Sequence, residues 1–322
     1  MPDMWKSQCP LSVLQKRAFL LTKIREFFSK RNVLEVETPI LSSSGNTDVN
    51  IESFTSDSIN SDFSKSYLRT SPEFPLKRLL CSGIGDVFEI GKVFRKGEYS
   101  TTHNCEFTML EWYRIEFDFY DLIQEVTELI SELSKAFDCS VINIEILTFN
   151  QCFLNQLNIN VFDVSTEELN KICHNFDYSG SQLTRDEALD YLFATQIQPG
   201  LNKQNITYVT HYPATQAALA EINPEDSNTA LRFEVFYQGH ELGNGYQELT
   251  HSQELLNRFI MDNKNRINNG STEVQIDSNL IEAMKHGMPQ CSGIAMGIDR
   301  LLMVLLGAST IHDVMPFNAL NS

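Results

Sequence analysis

The sequence predicts an α+β fold, an antiparallel sheet with packed helices, on two observations. Alternating or β-branched apolar segments fall in adjacent pairs, and segments with apolar residues three or four apart lie towards the ends of the chain, which disfavours a βαβ succession. Neither GxxxxGK[ST] nor GxGxxG occurs, so any nucleotide must be held without the usual glycine-rich phosphate loop.

Residues 11–30 set Leu14, Ala18, Leu21, Ile24, Phe27 and Phe28 at helical spacing and predict a long first helix. Residues 33–38 alternate until Pro39 removes a backbone donor, as in a short strand at a sheet edge. Residues 42–66, rich in Ser, Asn and Asp, are expected as loop with short strands. Residues 86–93 and 106–114 read as buried strands of a hairpin whose long charged loop, 95–104, contains Gly97. Residues 119–137 form a helix with an apolar stripe from Leu122 to Leu133. The pattern weakens over 139–205, where Ser165 and Thr184 each precede acidic first-turn residues as N-caps, so a helical insertion is expected within one catalytic domain spanning 1–322. Strands at 206–210 and 231–237, a helix at 252–267 and a buried helix at 297–306 opened by glycine complete the reading.

A chain of 322 residues, 42% hydrophobic and 21% charged, is an ordinary globular composition and excludes disordered, fibrous and disulfide-stapled classes. The net charge of −17 opposes nonspecific binding to nucleic acid or anionic membrane. The first ten residues lack a signal-peptide pattern, and no apolar run approaches the roughly 18 residues of a membrane span, so a cytoplasmic protein with no membrane partner is expected. Seven scattered cysteines without a CxxC read as reduced, and His103 with Cys105 lacks further ligands at zinc spacing.

Three segments combine charge with apolar framing. The first is residues 17–39, a helix followed by Glu35-Val36-Glu37-Thr38-Pro39. The second runs Val93-Phe94-Arg95-Lys96-Gly97-Glu98 and then His103-Asn104-Cys105-Glu106-Phe107-Thr108-Met109-Leu110-Glu111-Trp112-Tyr113-Arg114. The third is Gly293-Ile294-Ala295-Met296-Gly297-Ile298-Asp299-Arg300-Leu301. In order, spacing and framing they resemble the signature motifs of class II aminoacyl-tRNA synthetases, most closely the lysine branch, over nearly the whole chain.

The resemblance implies a six-stranded antiparallel sheet flanked by helices. It also implies ATP and Mg2+, with a substrate carboxylate attacking the α-phosphate to form an acyl-adenylate and release pyrophosphate, a reaction driven by positioning and fixed cations. Arg95 then bridges the substrate carboxylate and the α-phosphate, and Arg300 clamps the terminal phosphates through its bidentate fork; a surface ion pair is the plainer alternative for each. Lys96, Gly97 and Glu98 fall where adenine is touched, and Asn104 and Gly297 where adenine and ribose are supported. Gly297 would there allow close backbone approach. Glu241, with Leu242 beside it, and Glu248 fall at the nucleotide phosphates, where carboxylate oxygens suit magnesium; Glu248 could bind metal, substrate ammonium or both.

Substrate choice is implied at Ser71, Pro72 and Glu73 and at Glu111 and Tyr113, with Glu248 and Ala295. A buried substrate ammonium needs carboxylate partners, and Glu73, Glu111 and Glu248 supply them. Two departures stand out: Cys105 replaces the usual proline, and Glu98 comes three residues after Arg95.

The first motif begins near Leu11, which leaves no room ahead of it for the anticodon-binding barrel of lysyl-tRNA synthetases. With a charge of −17, stable tRNA binding is not expected. The shortened form resembles the elongation factor P (R)-β-lysine ligases, which transfer the activated amino acid to a lysine side chain of elongation factor P. Ala295 stands where tRNA-charging enzymes carry glycine, and one methyl-sized change in a pocket discriminates by about 1–3 kcal/mol. The alternatives are a lysine-activating enzyme charging tRNA or a small molecule, and a catalytically dead amino-acid sensor. Choice between (R)-β-lysine and lysine stays open, and the family implies a homodimer built on the first motif.

Overall fold

The computed structural model describes residues 5–57, 65–139, 143–320 and 322. The chain groups into two compact units, Met1–Val141 with Glu248–Ser322, and Ile142–Gln247.

The first unit opens with α1 (Leu11–Ser29), which buries Leu20, Ile24, Phe27 and Phe28. Its apolar stripe starts later than the spacing predicts: Leu14 and Leu21 are half-buried and Ala18 is exposed. Phe28 stacks on Phe88 at 4.5 Å and meets Trp112 edge-on at 5.2 Å, which fastens the helix to the sheet. The predicted strand before Pro39 is the short β1 (Leu34–Glu35). A small sheet in the order β2-β4-β3 follows, from β2 (Leu41–Ser42), β3 (Thr55–Ser56) and β4 (Ser66–Leu68). Part of the expected loop, 58–64, lies outside the described residues.

Next comes α2 (Glu73–Cys81), which the sequence reading does not anticipate. The hairpin of β5 (Val87–Phe94) and β6 (Glu106–Ile115) is as predicted, antiparallel from Val87 opposite Tyr113 to Phe94 opposite Glu106. β1 pairs with β5 in parallel. α3 (Phe119–Ala136) begins at a capping box between Asp118 and Asp121, which satisfies backbone donors in its first turn.

The second unit runs β7 (Asn143–Thr148), α4 (Phe149–Leu157), α5 (Thr166–Asn175), α6 (Arg185–Leu192), a π-turn at Phe193–Ile197 and the single turn α7 (Gln198–Gly200). It continues through β8 (Asn205–Pro213), β9 (Thr229–Tyr237) and β10 (His240–Gln247). Ser165 and Thr184 cap α5 and α6 as the sequence predicts, accepting from the backbone N–H of Glu168 and Glu187. The insertion buries Phe149, Phe153, Leu169, Leu189 and Leu192 against Val209 and Phe236. β7 is a strand rather than part of a helical stretch; it pairs in parallel with β8 and leaves Ile144 and Ile146 about half exposed, so its alternation does not mark a buried face.

The chain then returns to the first unit with α8 (Ser252–Asn268), α9 (Ser278–Gly287), β11 (Cys291–Gly297) and α10 (Ile298–Leu306). β11 lies antiparallel to β6. The α+β class stands, but the six-stranded antiparallel sheet does not. Among the described residues the large ladders use eight strands, four in each unit, and two pairings, β1 with β5 and β7 with β8, are parallel. The parallel pairs bring in β1 and β7, two strands beyond the expected plan. Among the described residues no helix is long and apolar enough to cross a membrane.

Candidate active site

A cluster of acidic side chains forms in the first unit because strand pleating puts Glu111 and Tyr113 of β6 on one face, two residues apart. Their partners across the ladder are Ala295 and Gly293 of β11. The Tyr113 hydroxyl donates to Glu111 Oε1 at 2.8 Å, and Ser71 Oγ donates to Glu111 Oε2 at 2.9 Å. Ser71 Oγ also accepts from the backbone N–H of Glu73 at 2.9 Å, and Pro72 stands at the N-cap of α2. Glu248 is anchored by its own backbone N–H, which donates to the Cys291 carbonyl at 3.0 Å.

Ser71, Glu73, Glu111, Tyr113 and Glu248 are thus brought together. Gly293 makes this packing feasible: a Cβ there would fall 2.4 Å from two Tyr113 ring carbons and 2.8 Å from Glu248 Oε1. The sequence reading misses one member, Lys77, one helical turn after Glu73. Its ammonium lies 2.6 Å from Glu73 Oε1 and 2.6 Å from Glu248 Oε2. The signal was the i, i+4 Glu–Lys spacing inside an unrecognised helix.

Burial dominates the electrostatics. It pushes the Glu111 carboxyl up to about 8, with the Glu73 charge adding to the rise, while hydrogen bonds from Tyr113 and Ser71 oppose it. Burial likewise raises Glu248 to about 8 despite Lys77. The Lys77 ammonium resists its own burial because Glu248 and Glu73 together outweigh it and hold it charged.

A second cluster surrounds the loop 95–104. Arg95 Nε donates to the Thr70 carbonyl at 3.3 Å, its guanidinium sits 3.7 Å from Glu98 and it lies over the Phe107 ring at 5.3 Å. Gly97 turns the loop with φ +85°, a left-handed conformation suited to glycine, and the Lys96 N–H donates to the Glu52 carbonyl at 2.8 Å. Arg300 Nη2 donates to His103 Nε2 at 2.9 Å, which puts the ring proton on Nδ1, 2.9 Å from Ser100 Oγ. The loop therefore has Arg95 at its start and Arg300 on its last turn. Buried Asn104 donates to the Glu106 carbonyl at 2.7 Å and accepts from the Ala319 N–H at 3.1 Å.

Asp299 fixes the start of α10. Its Oδ1 accepts from Arg17 Nη1 at 2.6 Å and its Oδ2 from the Thr108 N–H at 2.6 Å, joining the first motif helix, β6 and α10. Nothing local in the sequence assigns this role to Arg17 or Asp299, which are 282 residues apart. At Gly297 the chain itself leaves room, since a Cβ would meet only Arg300 Cβ at 3.8 Å.

In the second unit Glu241 and Leu242 lie on β10 at a bulge, and the Leu242 side chain is buried in the core. Beside them is a half-buried polar group that sequence reasoning overlooks. Arg232 pairs with Glu234 at 2.6 Å, donates to Asn244 Oδ1 at 3.2 Å and lies over Tyr212 at 4.4 Å. Burial pushes Glu234 up to about 7 while Arg232 draws it down. The available signal was polar alternation at positions 232 and 234, and again at 244 and 246, inside strands.

A family model described as tRNA synthetases class II (D, K and N) matches residues 3–321. Two curated relatives, each named elongation factor P–(R)-β-lysine ligase, come from Yersinia pestis (strain Pestoides F) and Yersinia pseudotuberculosis serotype O:1b (strain IP 31758). Each is 41% identical over 319 residues, covering 97% of this chain and 97% of its own.

Proposed function

The chain belongs to the class II tRNA synthetases (D, K and N), and from that premise we propose an ATP-dependent ligase that activates (R)-β-lysine and transfers it to a lysine side chain of elongation factor P. The observation that carries the reading is the pocket in which Glu73, Glu111 and Glu248 converge with Ser71 and Tyr113, an acidic lining suited to an ammonium substrate. The acceptor is supported by the near full-length likeness to the two ligases.

In this reading the substrate carboxylate attacks the α-phosphorus, an oxygen–phosphorus bond forms and pyrophosphate leaves. The acceptor's lysine amine then attacks the activated carbonyl, an amide forms, and AMP leaves. Arg95 holds the carboxylate against the α-phosphate and Arg300, steadied by His103, holds the terminal phosphates. Lys96, Gly97, Glu98, Asn104 and Gly297 are the residues assigned to the rest of the nucleotide. Glu241 offers carboxylate oxygens, a donor type that suits Mg2+, which is bound through one or two carboxylates plus substrate phosphates. Held there, Mg2+ would supply positive charge against the phosphates. Glu248 takes the ammonium-binding role, because its Oε2 already faces an ammonium, that of Lys77, at 2.6 Å. Ala295, directly across the ladder from Glu111, narrows the pocket by a methyl group relative to glycine. The protein acts in the cytoplasm as a homodimer and forms no stable tRNA complex.

The test is transfer of labelled (R)-β-lysine or lysine, with ATP and Mg2+, to elongation factor P and separately to lysine tRNA. Label on the protein, stronger with β-lysine, is expected. Label on tRNA alone would overturn the acceptor, and no adenylate with either amino acid would favour the sensor.

A further inference from the structure

The loop 95–104 has no apolar anchor of its own. Among its residues only Asn104 is buried, so the loop's position is set by what grips it from outside. At its start the Thr70 and Glu52 carbonyls hold Arg95 and Lys96. Its second half is gripped by the chain that follows α10. The Ile311 N–H donates to the Thr101 carbonyl at 2.8 Å, the His312 ring stacks on Tyr99 with centroids 5.0 Å apart, and the Ala319 N–H donates to Asn104 Oδ1 at 3.1 Å.

This segment is rooted independently of the loop. Ile311, Val314 and Met315 are buried in the core. Beyond them the Gln8 N–H donates to the Pro316 carbonyl at 3.1 Å, and Asn318 Nδ2 donates to Gln8 Oε1 at 2.7 Å. Asn318 Oδ1 accepts from the Leu320 N–H at 2.8 Å, a side-chain turn that fixes the backbone around Ala319 and aims its N–H at Asn104.

At Asn104 this segment meets the nucleotide assignment. Asn104 Nδ2 donates to the Glu106 carbonyl at 2.7 Å and Oδ1 accepts from Ala319, so both groups of the amide are occupied by the chain. The side chain fixes the residue, and the backbone at 103–104 is what is left to meet an adenine. Moving Ala319 away would leave Asn104 Oδ1, a buried acceptor, without its donor.

We propose that residues 311–320 form a strap in which Asn318 is a positioning residue: through the Ala319 N–H it sets the pose of the loop 95–104, and with it the affinity and base selectivity of the nucleotide site. This rests on the function proposed above, which places ATP against the loop. The amino-acid end of the site hangs on other anchors, Ser71, Tyr113 and the Cys291 carbonyl, so changes in the strap act on the nucleotide alone.

The experiment measures lysine-dependent pyrophosphate exchange with ATP and with GTP, for the full chain and for Ala319→Pro, Ala319→Gly, Asn318→Ala and Gln8→Ala, with the unfolding transition of each recorded. Ala319→Pro deletes the donated N–H and is expected to raise KM for ATP about tenfold, the scale of one hydrogen bond to a buried acceptor, and to erode the ATP-to-GTP preference by a similar factor. KM for lysine should stay within about twofold of the parent. Asn318→Ala and Gln8→Ala loosen the same turn from its two ends and should each raise KM for ATP about threefold. Gln8 is exposed, so its variant tests the strap without disturbing the core. Ala319→Gly keeps the N–H and should retain the ATP-to-GTP preference. A rise in both KM values with that preference intact, or a KM for ATP unmoved by Ala319→Pro and Gln8→Ala, overturns the proposal. Calorimetric binding of a non-hydrolysable ATP analogue separates the two readings. If the parent shows no exchange yet binds the analogue with the same variant pattern, the function reading fails and the strap stands; if the parent does not bind it, both fail.

Discussion

Glu111 is a buried carboxylate whose hydrogen-bond donors are neutral hydroxyls, and burial lifts it to about 8 from an ordinary 4.5. In the free protein it therefore carries a proton at neutral pH. A bound ammonium favours the ionised form, so binding releases a proton and KM for the amino acid should fall as pH rises from about 6 to about 8.5. Initial rates across that range measure it, and a flat KM would contradict the assignment. The stability sign runs the opposite way. The unfolded chain loses this proton near 4.5 and the folded one only near 8, so Glu111 weakens the fold as pH rises between the two. Glu111→Gln should accordingly raise Tm by a few degrees at pH 8, leave it nearly unchanged at pH 4, and impair activation at both. Glu111, Tyr113 and Glu73 were legible as pocket residues in the sequence through their motif context. Lys77 was not, because nothing local marks a lysine as buried when its second partner, Glu248, is far along the chain.

At the scale of elements, three pieces distant in sequence are pinned by one carboxylate. Asp299 at the start of α10 takes Arg17 from α1 and the Thr108 N–H from β6, all at or below 2.7 Å when the Arg17–Thr108 hydroxyl bond is included. The Asp299 side chain is 1% exposed and that of Arg17 15%, so the pair lies in the protected regime where removing one partner is costly. Asp299→Ala is expected to destabilise the protein by about 3 kcal/mol. It should also raise KM for ATP, since Arg300 follows it directly; chemical denaturation and exchange kinetics check the two effects. A fall in stability with ATP affinity intact would separate Asp299 from the placement of Arg300. The elements best read from sequence are α1 and α3, which bury a periodic face, and the β5–β6 hairpin, whose strands are apolar runs buried along much of their length. β10 and β11 were read only as motifs, because their glycines lower β-propensity and their strand state comes from the neighbours that pair with them.

Across the whole molecule, exposed apolar residues occur along most of the chain, and several of them fall on the first motif. Leu11 is 69% exposed, Leu34 52% and Ile40 42%, with Phe19 and Leu41 also exposed, all on α1 or in the segment that follows it. Those on α1 and the segment after it are available to an interface between copies built on the first motif, the homodimer proposed above. Leu34→Glu with Ile40→Glu should shift sedimentation from dimer to monomer at micromolar protein, and an unshifted dimer would place the interface elsewhere. By itself the sequence determined the α+β class, the helices with strong periodicity, the hairpin of buried apolar strands, and the identity of the arginines and carboxylates, because side-chain chemistry and local pattern are properties of the chain. Tertiary structure decided the count and direction of the strands, the counter-ion beneath Glu248 and the pin at Asp299. These depend on which distant segments share a buried face, and at such a face desolvation sets whether a charge is tolerated, protonated or paired.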